Sequence, residues 1–181
     1  MTSTVKYLGE LRTEATHLLS GEKIITDAPP DNQGRGEAFS PTDLCATSLA
    51  SCMLTLMGIS ARNHGIDITG AHAEVTKIMA ADPRRIARIE IKFTMPANGY
   101  SDTQKKVLEL AARTCPVHFS IAEGLEEVLE FVWEFETIHS LKINTTSIRR
   151  FFARPVSASL STTGHFSPNP SQRIFLASIP F

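Results

Sequence analysis

Charge imbalance, cysteine and long apolar runs are all scarce in this chain of 181 residues. Eighteen basic residues against nineteen acidic ones leave a formal net charge of −1. That balance offers no electrostatic footprint for nucleic acid or for an anionic membrane surface. Three cysteines without a secretory leader point away from a disulfide scaffold and towards a reducing, cytoplasmic setting. The opening Met1-Thr2-Ser3-Thr4-Val5-Lys6 has no apolar core of an export signal. A phosphate-cradling loop, a Ser/His/Asp signature and a dinucleotide fingerprint are also missing, because Gly34-Arg35-Gly36 has too few glycines. The length suits one compact domain with room for an appendage.

One apolar run stands out. Leu44–Ala61 (LCATSLASCMLTLMGISA) carries no charge and approaches the length that spans a bilayer. It includes Thr47, Ser48, Ser51, Thr55, Ser60 and Gly58, and no second such segment exists, so it reads as a buried core helix. Ser40-Pro41-Thr42-Asp43 supplies its start: a side-chain cap, a proline at the first helical position and an acid at the positive end. The helix is expected to reach about Asn63, with Gly65 at its stop. Cys45, Leu49, Cys52, Leu56 and Ile59 recur at three- and four-residue steps, which predicts a shared face directed at the core or at a pocket.

The flanking segments alternate. Val5–Leu19 and Glu22–Asp27 read as two strands joined at Ser20-Gly21, followed by a proline- and glycine-rich loop over Ala28–Phe39. Ile68–Ala80 and Ile86–Met95 predict a second hairpin around Asp82-Pro83-Arg84-Arg85, with Ile89, Ile91 and Phe93 alternating against Arg88, Glu90 and Lys92. Ser101 with Gln104 resembles a capping box for a helix that must end near Thr114, before Pro116. Cys115 then caps a short helix from Pro116 to about Glu123, closed by Gly124, and Glu126–Phe135 reads as a last strand. The order ββ-α-ββ-αα-β is an α+β pattern built on antiparallel hairpins around a long central helix. One small sheet covers only part of such a helix, so a second subunit is expected to cover the remainder.

Beyond Glu136 the composition changes abruptly. Thr137–Phe181 has no Asp or Glu, five Lys or Arg, and many Ser and Thr. It reads as a loosely packed or disordered extension of the 1–136 domain, since its charges are too sparse for a nucleic-acid arm.

The chemistry-bearing residues are the cysteines. Cys52 lies inside the apolar helix and Cys115 at a helix entrance 63 residues later, an arrangement that suits a nucleophilic thiol and a second thiol that resolves it. As a helix cap, Cys115 faces free amides that favour a thiolate, so the residues alone leave open which sulfur attacks. Cys45 lies two helical turns from Cys52, about 10 Å by the helical rise, too far for an unstrained disulfide, and reads as packing. Cys115-x-x-His118 has metal-ligand spacing, with His17, His64 and His72 as further donors, but no second paired motif accompanies it.

Ser40-Pro41-Thr42-Asp43-Leu44, Ala50-Ser51-Cys52 and Cys115-Pro116-Val117 together resemble the OsmC/Ohr family of thiol-dependent hydroperoxide reductases, in its broad OsmC-like branch. The resemblance runs from about Tyr7 to Phe135. It implies an intertwined homodimer with sites at the subunit interface, Cys52 as the peroxidatic cysteine and Cys115 as the resolving one. It also implies an arginine from the N-terminal hairpin, which falls at Arg12, and a glutamate after the helix-start proline, where this chain has Thr42 followed by Asp43. Physically, burial disfavours a thiolate at Cys52, so a cation must offset it; Arg12 is the first candidate and Arg35 the second. The expectation is a cytoplasmic thiol peroxidase that reduces an organic hydroperoxide, is recycled by an external dithiol, and needs no bound cofactor or metal. The alternative is a non-enzymatic relative that holds an apolar small molecule in the interface pocket.

Overall fold

The computed structural model describes residues 1–135. The expectation for the 137–181 extension lies outside the described residues. Six strands and three α-helices follow in the order β1 (Ser3–Gly9), β2 (Arg12–His17), β3 (Lys23–Asp27), α1 (Pro41–Asn63), β4 (His72–Ala81), β5 (Arg84–Met95), α2 (Asp102–Arg113), α3 (Pro116–Ser120) and β6 (Glu126–Trp133). The α+β class is as expected, with two small sheets and one long central helix, but the sheets differ from two plain hairpins.

The first difference lies in the N-terminal arm. Val5–Leu19 is not one strand but most of a hairpin, β1 against β2, and β3 completes a three-stranded antiparallel sheet. The reversal falls at Glu10 and Leu11, both with positive φ (50° and 60°). An apolar leucine at such a position gives no turn signal, because Asn, Asp and Gly are the residues that usually mark it.

The second difference lies in the other sheet. Strand β5 pairs antiparallel with β4, as expected, but β6 pairs parallel with β5, Ile89 opposite Glu127 and Phe93 opposite Phe131. Helices α2 and α3 intervene, and such a crossover is what lets a strand return in the same direction. Helix α3 also ends at Ser120, earlier than Gly124 would suggest.

Helix α1 begins as its sequence dictates. Ser40 Oγ accepts from Asp43 N and Asp43 returns a bond to the Ser40 amide, a reciprocal cap behind Pro41. At the other end, Gly65 at φ 64° lets the Ile66 amide reach back to Ala61 O. The buried stripe is Ala46, Leu49, Ala50, Met53, Met57 and Ala61, not the predicted Cys45–Ile59 face. It packs on Ile89, Ile91, Phe93 and Met95 of β5, on Leu108 and Ala112 of α2, and on Cys115. Each large apolar side chain fully buried there contributes about 1.5–3 kcal/mol. Cys45 and Ile59 are exposed, while Cys52 and Leu56 lie at the stripe's edge. The expected face was rotated because small and sulfur-bearing residues ring this helix, so several stripes satisfy the same spacing. Among the described residues, α1 is therefore fully buried along one side.

Strands β1–β3 pack chiefly on one another. Val5, Tyr7, Leu8, Leu11, Ile24 and Ile25 are left exposed on that sheet.

Candidate thiol site

The α1–α3 contact brings the two predicted cysteines together. Cys115 is fully buried, and the Cys52 thiol, half-buried on α1, packs against the core cluster that contains it and is close enough to act on its titration. Both are free thiols. As predicted, Cys115 caps α3, accepting from the His118 amide at 3.3 Å. Burial nonetheless pushes the Cys115 thiol up, the neighbouring Cys52 sulfur adds to that, and the amides of His118 and Val117 oppose it only in part. The cap does not make Cys115 the readier thiolate.

His118 carries a second link. Its Nδ1 pairs with Glu127 Oε2 of β6 at 2.8 Å, which ties α3 to the mixed sheet. The proposed metal donors do not converge. His17, His64 and His72 are exposed, with their Nδ1 atoms beside Ser20 Oγ, Ser60 O and Gly70 O. Among the described residues no group of three or more His, Cys, Asp or Glu could hold an ion.

Arg12 is not brought to Cys52 within the chain; it belongs to a separate cluster. Its Nε and Nη2 donate to the two carboxylate oxygens of Asp27, at 2.7 Å each, and Nη2 also donates to Glu37 Oε2 at 2.6 Å. Asp27 is 1% exposed and also accepts from the Glu37 amide at 3.1 Å. The Arg12 bond outweighs burial and holds the Asp27 carboxyl below its usual range. Arg35, the second candidate, is exposed and adds a weaker pull on Asp27.

Glu37 reaches the arginine because the Ala28–Phe39 loop folds tightly on itself. The Gly34 amide donates to Pro29 O at 3.1 Å and the Gly36 amide to Ala28 O at 3.3 Å. A side chain at Gly34 would collide with the Ala28 carbonyl, so glycine is required for that approach. Thr42 serves a different cation. Its hydroxyl and that of Ser40 accept from Lys77 Nζ at 2.8 and 3.1 Å, and Asp43 pairs with the same amine at 2.6 Å. Burial raises the Asp43 carboxyl, but the Lys77 and Ser40 bonds outweigh it and the net direction is down.

An apolar cavity of about 370 Å³ lies apart from the thiols, lined by residues such as Tyr7, Leu11, Ala28, Pro41 and Met79.

Residues 34–129, just over half of the chain, match the family model described as OsmC-like protein. The chain belongs to the OsmC-like family. A solved structure from Psychrobacter arcticus 273-4, named for osmotic stress induction and detoxification response, is 54% identical. The match covers 74% of this chain and 96% of that one, with a TM-score of 0.68. Two more distant structures share the fold. The Legionella pneumophila organic hydroperoxide resistance protein OsmC is 18% identical over 73% of this chain and 97% of its own, with a TM-score of 0.57. An Elizabethkingia anophelis organic hydroperoxide resistance protein is 14% identical over 74% and 97%, with a TM-score of 0.55. No curated protein matches the chain.

In this OsmC-like chain the glutamate facing Arg12 is therefore Glu37, three residues before Ser40, and not the residue after Pro41. Sequence pattern did not single out Asp27, Glu37, Lys77 or Glu127. The available signal was weak: acids on both sides of a glycine-bearing loop, and a glutamate at a core-facing strand position.

Proposed function

We propose that the protein reduces organic hydroperoxides with Cys52 and Cys115 in an OsmC-like homodimer. The observation that carries this reading is that a half-buried Cys52 thiol neighbours a fully buried Cys115 thiol in one core cluster. Cys52, as thiolate, bonds to the terminal peroxide oxygen; the O–O bond breaks and the alkoxide leaves as alcohol after taking a proton. Cys52 is then a sulfenic acid. The Cys115 sulfur displaces its hydroxyl, the thiol proton leaves with that hydroxyl as water, and a disulfide forms. An external dithiol restores both thiols by exchange.

The dimer supplies what the single chain lacks. The exposed apolar residues of β1–β3 and the uncovered side of α1 are surfaces for a second copy. In that pairing Arg12, clamped by Asp27 and Glu37, is delivered to the partner's thiol site as the cation that favours a thiolate at Cys52.

The test is mass spectrometry after one equivalent of cumene hydroperoxide. Rapid formation of a Cys52–Cys115 disulfide supports the peroxidase. Thiols that stay reduced would favour the second reading, a binder of apolar small molecules, for which the 370 Å³ cavity away from the cysteines is the supporting observation.

A further inference from the structure

Glu127 breaks the pattern of its strand. In β6 the side chains of Leu129 and Phe131 turn to the core, and Glu127 occupies the same face two residues earlier, opposite the fully buried Ile89. Its side chain is only 14% exposed. A carboxylate at an inward position costs desolvation unless it is paired, and such departures from the local rule tend to mark a site. Its partner is His118, at 2.8 Å.

His118 is the residue whose own amide donates to Cys115 Sγ. Helix α3, which carries that amide, has five residues and none of them is buried. Val117 and the adjoining Ile121 pack only partly against the core. A helix this short does not hold itself together, so its geometry is set by what ties it down. Among the described residues, the Glu127–His118 pair is the side-chain hydrogen bond from α3 to the mixed sheet.

We propose that Glu127 is a positioning residue for the resolving step: by holding the His118 ring it fixes the first turn of α3 and aims the Cys115 sulfur at Cys52. The inference rests on the thiol-peroxidase reading above. In the resolving step the Cys115 S–H bond and the Cys52 S–OH bond break, while an S–S bond and water form. The His118 amide steadies charge that develops on Cys115 as its proton departs. Cys52 oxidation precedes this step and involves neither His118 nor Glu127.

The experiment separates the two steps in the full chain. Wild type, Glu127→Gln, His118→Asn and the double variant are each mixed with one equivalent of cumene hydroperoxide and quenched over time. Dimedone reports the Cys52 sulfenic acid, and peptide mass spectrometry reports the Cys52–Cys115 disulfide. Cys52 oxidation should stay within about twofold of wild type, while disulfide formation slows about tenfold and trapped sulfenic acid accumulates. The double variant should be no slower than either single, because both remove one link. His118 is more exposed than Glu127, so His118→Asn keeps the test available if Glu127→Gln does not fold. Unchanged disulfide formation, equal slowing of both steps, or additive effects in the double variant would overturn the proposal. A wild type that forms neither product would instead sink the peroxidase reading itself.

Discussion

Arg12 and Asp27 face each other on one rung of the N-terminal sheet, joined by two parallel hydrogen bonds of 2.7 Å. The carboxylate is almost wholly buried, and Glu37 takes the same guanidinium from the loop side. A guanidinium bonded at both Nε and Nη2 has its plane fixed before any other group arrives. The sheet thus presents a preorganised cation from a surface that the other described elements leave largely uncovered.

The clamp makes stability depend on acid. The folded-state pKa of Asp27 lies below its ordinary value, so its contribution is present above about pH 4 and is lost as pH falls through the folded value. Thermal melts between pH 3 and 6 should show wild type losing stability below about pH 4. Asp27→Asn should be less stable at pH 6 and fall less steeply on acidification. Parallel curves for the two proteins would mean that the pair does not set the dependence.

Arg12 should matter to the thiol only through the dimer. Arg12→Ala is expected to slow alkylation of Cys52 by iodoacetamide near neutral pH by several-fold, because the cation favouring the thiolate is gone. Arg12→Lys should recover part of the rate but not all, since a lysine cannot span Asp27 and Glu37 as a planar fork. Equal rates in all three proteins would remove Arg12 from the site.

The legible parts of this molecule are those whose cause is local. Ser40 with Asp43 and Ser101 with Gln104 announce their helices because a cap needs only residues three apart. Cys115-Pro116 marks a helix entrance for the same reason. The Arg12 cluster was half legible, since the cation could be placed by resemblance while Asp27 and Glu37 meet it across 15 and 25 residues of sequence. Strand direction was not legible either. Nothing in Glu126–Trp133 distinguishes a parallel partner from an antiparallel one, because alternation encodes faces and not orientation. The stripe of α1 was misread by a fraction of a turn, since its ring of small residues fits more than one face.

The start of α1 should be a stability hot point. Ser40 is 2% exposed, and its hydroxyl serves the Asp43 amide and Lys77. Ser40→Ala is expected to cost about 1–2 kcal/mol in urea unfolding, in the upper range for a lost cap. Lys77→Met should cost about 1 kcal/mol, because it removes the cation paired with Asp43 and leaves that carboxylate only its bond from the Ser40 amide. Adding Asp43→Asn to Lys77→Met should then cost less than Asp43→Asn does alone. Strict additivity would show that the two groups act independently.

Self-association is the prediction on which the assembled site depends. Val5, Ala15 and Ile24 form one cross-strand row of the N-terminal sheet, and Val5 and Ile24 are 67% and 53% exposed in the single chain. That row lies on the opposite face from Lys6, Arg12, Glu14 and Lys23. A charge placed in the apolar row would be desolvated by a second copy but harmless to the isolated sheet. Ile24→Asp should therefore weaken dimerisation about tenfold or more in sedimentation equilibrium while leaving the circular dichroism spectrum intact. The same variant should lose hydroperoxide turnover at concentrations where wild type is dimeric, and regain part of it as its own concentration rises. A monomeric wild type with full turnover would show that the thiol pair works without the second copy, and Arg12 would then have no route to Cys52.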